Sequence, residues 1–117
     1  MFGAQTVECP QRKVAVIGLT KTGLGTPVLS GLCASFCSVA KTGVGVYEIT
    51  VSTNRPFAQL MVGSYMLHQS GVMIKDLAAS TKLKLVVKTF AVDGTTAAEK
   101  DFDIVILGCF ATDLIGA

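Results

Sequence analysis

The sequence predicts an all-β chain, an antiparallel β-sandwich or jelly roll with short helical turns at most. Three observations point there. At least five strand-length apolar segments follow one another at close spacing, turns rich in Gly, Pro, Asn and Asp separate them, and no stretch sustains a helical apolar period. A length of 117 residues suits a single domain, 1–117, with residues 1–12 and 20–31 as arm or loop.

From the amino end, a polar lead gives way to Lys13, Val14, Ala15, Val16, Ile17, Gly18 and Leu19, a β-branched run of strand type. Residues 20–31 hold Gly23, Gly25, Pro27 and Gly31, too much backbone freedom for a helix. Segments 33–41 and 45–52 flank Thr42, Gly43 and Val44. In the second segment Tyr47, Ile49 and Val51 alternate with Glu48, Thr50 and Ser52, the period of a strand with one buried and one polar face. The two segments read as a β-hairpin with Gly43 or Gly45 at positive φ. Asn54, Arg55 and Pro56 end it, and 58–69 is a further strand-length segment whose bulky residues are Met61, Tyr65 and Met66. Residues 73–79 are the one helical candidate. Lys82, Lys84 and Lys88 alternate with Leu83, Leu85 and Val87 in a strand that runs on to Phe90 and Val92, with the three aliphatic residues on its core face. Asp93 and Gly94 turn the chain toward a last strand, 102–107, where Phe102, Ile104 and Ile106 share a side. These two strands read as a second hairpin.

Half of the residues are apolar and 15% are charged, where about 25% is ordinary, which excludes a disordered chain. The net charge is +2 and the basic residues are dispersed, so the electrostatic footprint of a nucleic-acid binder is missing. Uncharged windows at 22–40 and 56–74 approach the ~20 residues of a spanning helix. Gly, Pro and polar residues interrupt both, and no membrane association is expected. Gln5, Thr6 and Glu8 interrupt any secretory leader pattern after Met1, so secretion is not expected either.

The apolar run into glycines at 14–25 resembles the start of a nucleotide-binding fold. A Walker A loop, however, needs Lys and then Ser or Thr directly after its second glycine, so that the ammonium reaches the β- and γ-phosphates. Leu24 and Gly25 stand there instead, and Lys21 lies on the wrong side. No run fits the dinucleotide fingerprint, and no cofactor is expected. His68 is the sole histidine and has no carboxylate near it in sequence, so it reads as a strand-end residue in a polar turn. Asp101 and Asp103 share one face of a strand and read as solvent-side charges. Cys9, Cys33, Cys37 and Cys109 are expected to be reduced thiols, since a chain this apolar needs no staples. On a strand, Cys33 and Cys37 would lie ~13 Å apart on one face, too far to share a metal ion. No catalytic, cofactor or metal residue is assigned, and an enzyme is not expected.

A domain of this size hides only about two-thirds of its unfolded surface, so this apolar content exceeds what one copy can bury. Exposed apolar area marks interfaces. Phe57, Leu60, Met61, Tyr65 and Met66, with Phe110, Leu114 and Ile115 in the tail, are the candidate residues for burial between subunits.

The segment Ser38-Val39-Ala40-Lys41-Thr42-Gly43-Val44-Gly45-Val46-Tyr47-Glu48-Ile49-Thr50-Val51 resembles one found in small virion proteins of tailed bacteriophages, a basic residue and Thr-Gly-x-Gly, then Tyr and alternating β-branched residues. The order downstream is similar, with strand 83–92, Asp93-Gly94, a short loop and apolar strand 102–107. The resemblance is to head decoration (cement) proteins and covers the middle and end of the chain, without 1–31. It implies a structural β-sandwich or jelly-roll module, made in the host cytoplasm and placed on the capsid exterior of the virion. Its implied partners are its own copies, as a homotrimer, and the major capsid protein shell. No functional residue carries over. A head-fibre or tail-associated module is the alternative within structural proteins, and a small ligand- or host-surface-binding β-sandwich is the alternative outside them. With 2 Tyr, 6 Phe and no Trp, the chain has few stacking platforms for a glycan.

Overall fold

The period-two residues of the sequence become the two inner faces of a sandwich. The computed structural model describes residues 14–31, 33–52 and 57–111 and places them in two four-stranded antiparallel sheets packed together. The first sheet has the order β2 (Val28–Ser30), β1 (Val14–Thr22), β8 (Phe102–Phe110), β5 (Phe57–Leu67). The second has the order β3 (Cys37–Gly43), β4 (Val46–Val51), β7 (Lys84–Phe90), β6 (Val72–Lys75). Among the described residues no helix is long and apolar enough to cross a membrane.

Ile17 and Leu19 of β1 and Phe102, Ile104 and Ile106 of β8 face Tyr47, Ile49 and Val51 of β4 and Leu85 and Val87 of β7 in one buried cluster. Phe57 and Leu60 from β5 and Met73 from β6 complete it. The ring of Tyr47 meets that of Phe102 edge to face at 5.7 Å, a favoured aromatic geometry. The β3–β4 hairpin forms as its alternation predicts. Gly45 takes φ +69°, and a Cβ there would lie 2.6 Å from the Thr89 carbonyl oxygen, so glycine serves both the turn and the close approach of β7.

Four expectations are corrected. Residues 20–22 and 28–30 are strand and not loop, because β1 continues to Thr22 and returns as β2, pairing Thr20 with Ser30 and Thr22 with Val28. Cys33 precedes a 3-10 turn, Ala34–Phe36, so the strand begins only at Cys37. The helical candidate at 73–79 is instead β6 followed by a turn in which the Asp76 carboxylate accepts from the Ala79 N–H. Finally, β7 and β8 form no hairpin.

The last correction has a topological cause. Both edges of β7 are already paired, with β4 on one side and β6 on the other. After the turn at Asp93 and Gly94 the chain touches β7 at a single bridge, Phe90 to Ala97, and crosses to the other sheet. There β8 inserts between β1 and β5. The buried Thr89 hydroxyl secures the crossing by donating to the Ala98 carbonyl at 2.6 Å. On β7 the outward Val86 is nearly as inaccessible as the inward Leu85 and Val87, between the half-buried Lys84 and Lys88. In a further correction Leu83, expected on the core face, lies outside the strand and is exposed, as is Val92.

Two outcomes follow from these contacts. A Cβ on Gly108 would sit 2.7 Å from the Phe57 ring, so Gly108→Ala should lower stability by about 1–3 kcal/mol in denaturant unfolding, as other overpacked sites do. In the crossing loop, Asp93 accepts from the Thr96 hydroxyl and from the Thr96 and Thr95 N–H groups, which holds its pKa down to about 2. Its contribution is therefore complete above the ordinary value of 3.8 and is lost as pH falls through about 2. Asp93→Asn should flatten that part of the acid limb in a plot of Tm against pH.

Candidate functional site

Two regions concentrate side chains that the core does not explain. The first is a polar cluster at one end of the sandwich. Lys21, inward-facing on β1, is completely buried. Its ammonium donates to the Lys100 carbonyl at 2.8 Å and lies 3.3 Å from Asp101 Oδ1. It also stands 4.0 Å from the centroid of the Tyr47 ring, a desolvated cation–π contact. Burial lowers the Lys21 pKa, and the Asp101 carboxylate opposes that shift. The Tyr47 hydroxyl is buried beside this cation with no hydrogen bond of ordinary geometry, and burial with the nearby Glu99 charge pushes its pKa up. Lys41 and Glu99 pair at the same end.

His68 stands in the turn after β5, as its polar neighbours suggest, and the fold supplies the carboxylate that its sequence neighbours lack. The turn after β5 brings His68 Nε2 to 3.1 Å from Asp103 Oδ1, a residue 35 positions away in the chain. The Thr20 hydroxyl donates to the same oxygen at 2.8 Å. These two hydrogen bonds, the threonine's first, lower the Asp103 pKa. In a nucleophilic triad the hydroxyl must meet the imidazole that takes its proton. Here hydroxyl and imidazole both address the carboxylate, so the arrangement is a polar clasp joining β1, β8 and the end of β5. Asp101 belongs to the same clasp: Gln69 donates to its Oδ2 at 3.3 Å and accepts its backbone N–H at 2.8 Å. The solvent-side reading of Asp101 is thereby corrected to an ion pair with a buried lysine.

The second region is the outer face of the first sheet. Register with the inward Ile17, Leu19, Ile104 and Ile106 directs Val14, Val16, Gly18 and Thr20 of β1 outward, opposite Cys109, Leu107, Val105 and Asp103 of β8. From β5, Met61, Ser64 and Met66 join them. Among the described residues Asp103, at one end, is the sole charge on this face. Val16 is 66% exposed and Met66 67%. Between these projecting side chains lies a shallow trough of about 540 Å³, with Gly18, Thr20, Gly31, Ser64, Asp103 and Val105 in its lining. The outer face of the second sheet carries more charge: Lys84 pairs with Glu48 and Lys88 with Asp76, each at 3.3 Å, beside the exposed Ile74.

The subunit-contact candidates separate on this geometry. Phe57 and Leu60 are each 2% exposed and belong to the protomer's own core, because the first faces Gly108 and the second lies inward beside it. Phe110 is half-buried with its ring 5.0 Å from that of Phe57. Met61 and Met66 are on the outer face, and Tyr65 is exposed on the open side of β5. Leu114 and Ile115 lie outside the described residues, as does Cys9. Val14, Val16, Val105 and Leu107 went unread as surface. Their signal was present, since β1 and β8 are apolar at both parities, the pattern of strands covered on two sides.

Cys33, Cys37 and Cys109 are free thiols. Burial, then the neighbouring Cys33, pushes the Cys37 thiol pKa up. Among the described residues no three His, Cys, Asp or Glu side chains are grouped to hold a metal ion. The chain matches no protein-family model, no curated protein and no solved structure.

The polar cluster predicts an asymmetric response to substitution. Asp101→Asn leaves a buried ammonium without its counter-charge and should cost on the order of 3 kcal/mol in denaturant unfolding. Adding Lys21→Met removes the orphaned cation and should recover most of that loss. A double variant no more stable than the single one would show that the ion pair is not the source of the effect.

Proposed function

We propose that this protein is a non-catalytic structural virion protein of a tailed bacteriophage, a decoration (cement) protein that binds and stabilises the outer surface of the capsid as a homotrimer. The observation that carries the proposal is the difference between the two outer faces of the sandwich. One carries two ion pairs beside an exposed Ile74, and the other has Asp103 as its single charge among valines, methionines and a leucine, the balance of a surface covered by protein. Many weakly charged β-rich copies packed side by side would gain cohesion from such a face and need no catalytic group. The segments that resemble decoration proteins fall on the β3–β4 hairpin and on β7, the crossing loop and β8, so the resemblance follows the framework of both sheets.

The test is co-sedimentation of the purified protein with undecorated, expanded phage heads. Binding at near-stoichiometric copy number relative to the shell protein is the expected result, together with heads that resist heat or chelator-induced rupture better than bare ones. Heads that sediment without the protein would overturn the decoration reading and favour a small ligand- or host-surface-binding module.

A further inference from the structure

We infer that the outer face of the first sheet is the surface through which copies of this chain pack against one another, with Val16 and Met66 of one copy entering the Gly18–Ser64 trough of the next. The inference rests on the homo-oligomer proposed above and identifies its contact surface.

Gly18 is the first reason. It lies inside β1, where glycine weakens a strand and often marks a close approach of other backbone or of a ligand. In the first sheet the other strand glycines are accounted for internally. The space a Cβ would take at Gly108 holds the Phe57 ring, and at Gly63 the Leu107 side chain stands 3.1 Å away. A Cβ on Gly18 would meet nothing within 4 Å, and its φ is not in the left-handed region. Neither packing nor backbone conformation within the protomer requires glycine there, so the room it leaves is room for something outside.

Charge selects the occupant. A charged partner surface would lose hydration against this face and find only Asp103, already engaged by Thr20 and His68, to compensate it. The face of a second copy satisfies the requirement, since its one charge, Asp103 in the trough wall, is held by Thr20 and His68 and the face carries both the projections and the trough that receives them. The size is adequate as well. Three strands of about nine residues, spaced ~4.8 Å apart with ~3.3 Å per residue, project roughly 450 Å². In a trimer each face is shared between two neighbours, so three faces bury roughly 1,350 Å² of projected area in all before their corrugation is counted. Directed toward a common threefold axis, the faces of three copies would cover one another and close the assembly.

The experiment is solution mass by light scattering under reducing conditions, for the wild type and for Gly18→Tyr, Val16→Lys and Met66→Lys, with Ala40→Lys on the outer face of the second sheet as control. The altered side chains are exposed or enter open space within the protomer, so each variant should keep its fold, checked by circular dichroism and dispersed amide NMR signals. We expect a wild-type mass near three times 12.2 kDa, retained in the control and reduced to the monomer in the face variants at equal concentration. A monomeric wild type, or an assembly that survives all three face substitutions, would overturn the inference. The head-binding assay reads separately. Association lost in the face variants without wild-type binding to heads would sustain this interface and reject decoration, whereas monomeric wild type that still coats heads would do the reverse.

Discussion

Packing of β8 against β4 across the sandwich is the contact on which the other elements depend. Phe102, Ile104 and Ile106 face Tyr47, Ile49 and Val51, and both strands are interior to their sheets. β8 therefore brings β1 and β5 to the core, while β4 brings β3 and β7. At one end of this seam the aromatic pair Tyr47 and Phe102 is capped by the ammonium of Lys21. A buried lysine there is sustained by three simultaneous interactions, a carbonyl, a carboxylate and an aromatic face, since any one alone falls short of the hydration it gave up. The arrangement also links β1 to the chain entering β8, so the crossing between sheets is anchored where it ends.

With the inner faces committed to the core, the contrast between the outer faces acquires functional meaning. Glu48, Lys84, Lys88 and Asp76 place two ion pairs on the second sheet beside Ile74, pairs that are weak individually but fully compatible with water. The first sheet carries valines, a leucine and methionines, interspersed with the uncharged Thr20, Gln59 and Ser64, on its corresponding face. A monomer gains nothing from that composition, whereas a face covered by another protein surface does. His68, Thr20 and Asp103 form a polar boundary at one end of the face and leave the remainder uncharged.

Much of the framework was legible because alternation is a property of consecutive residues. Tyr47, Ile49 and Val51 point inward, as do Phe102, Ile104 and Ile106, and Gly45 supplies the positive φ of the turn between β3 and β4. The misreadings arose where local signals were compatible with more than one neighbour. Gly23, Gly25 and Pro27 mark a turn between two strands as readily as a long loop, and β2 is only three residues long. Asp93 and Gly94 do turn the chain, but whether the returning strand pairs with β7 depends on whether β7 still has a free edge.

The sequence by itself determined the all-β class, the positions of the main strands and the inward residues of those that alternate, because each depends on side-chain period and turn chemistry within a few residues. Only the tertiary structure decided which strands share a sheet, that Phe57 and Leu60 are core, and that the uncovered apolar face is made by Val16, Leu107 and Met66. For strands apolar at both parities, inside and outside are indistinguishable until partners are assigned. The ion pair of Lys21 with Asp101, 80 residues apart, and the His68–Asp103 contact likewise exist only because antiparallel register brings distant chain segments to one end of the sandwich.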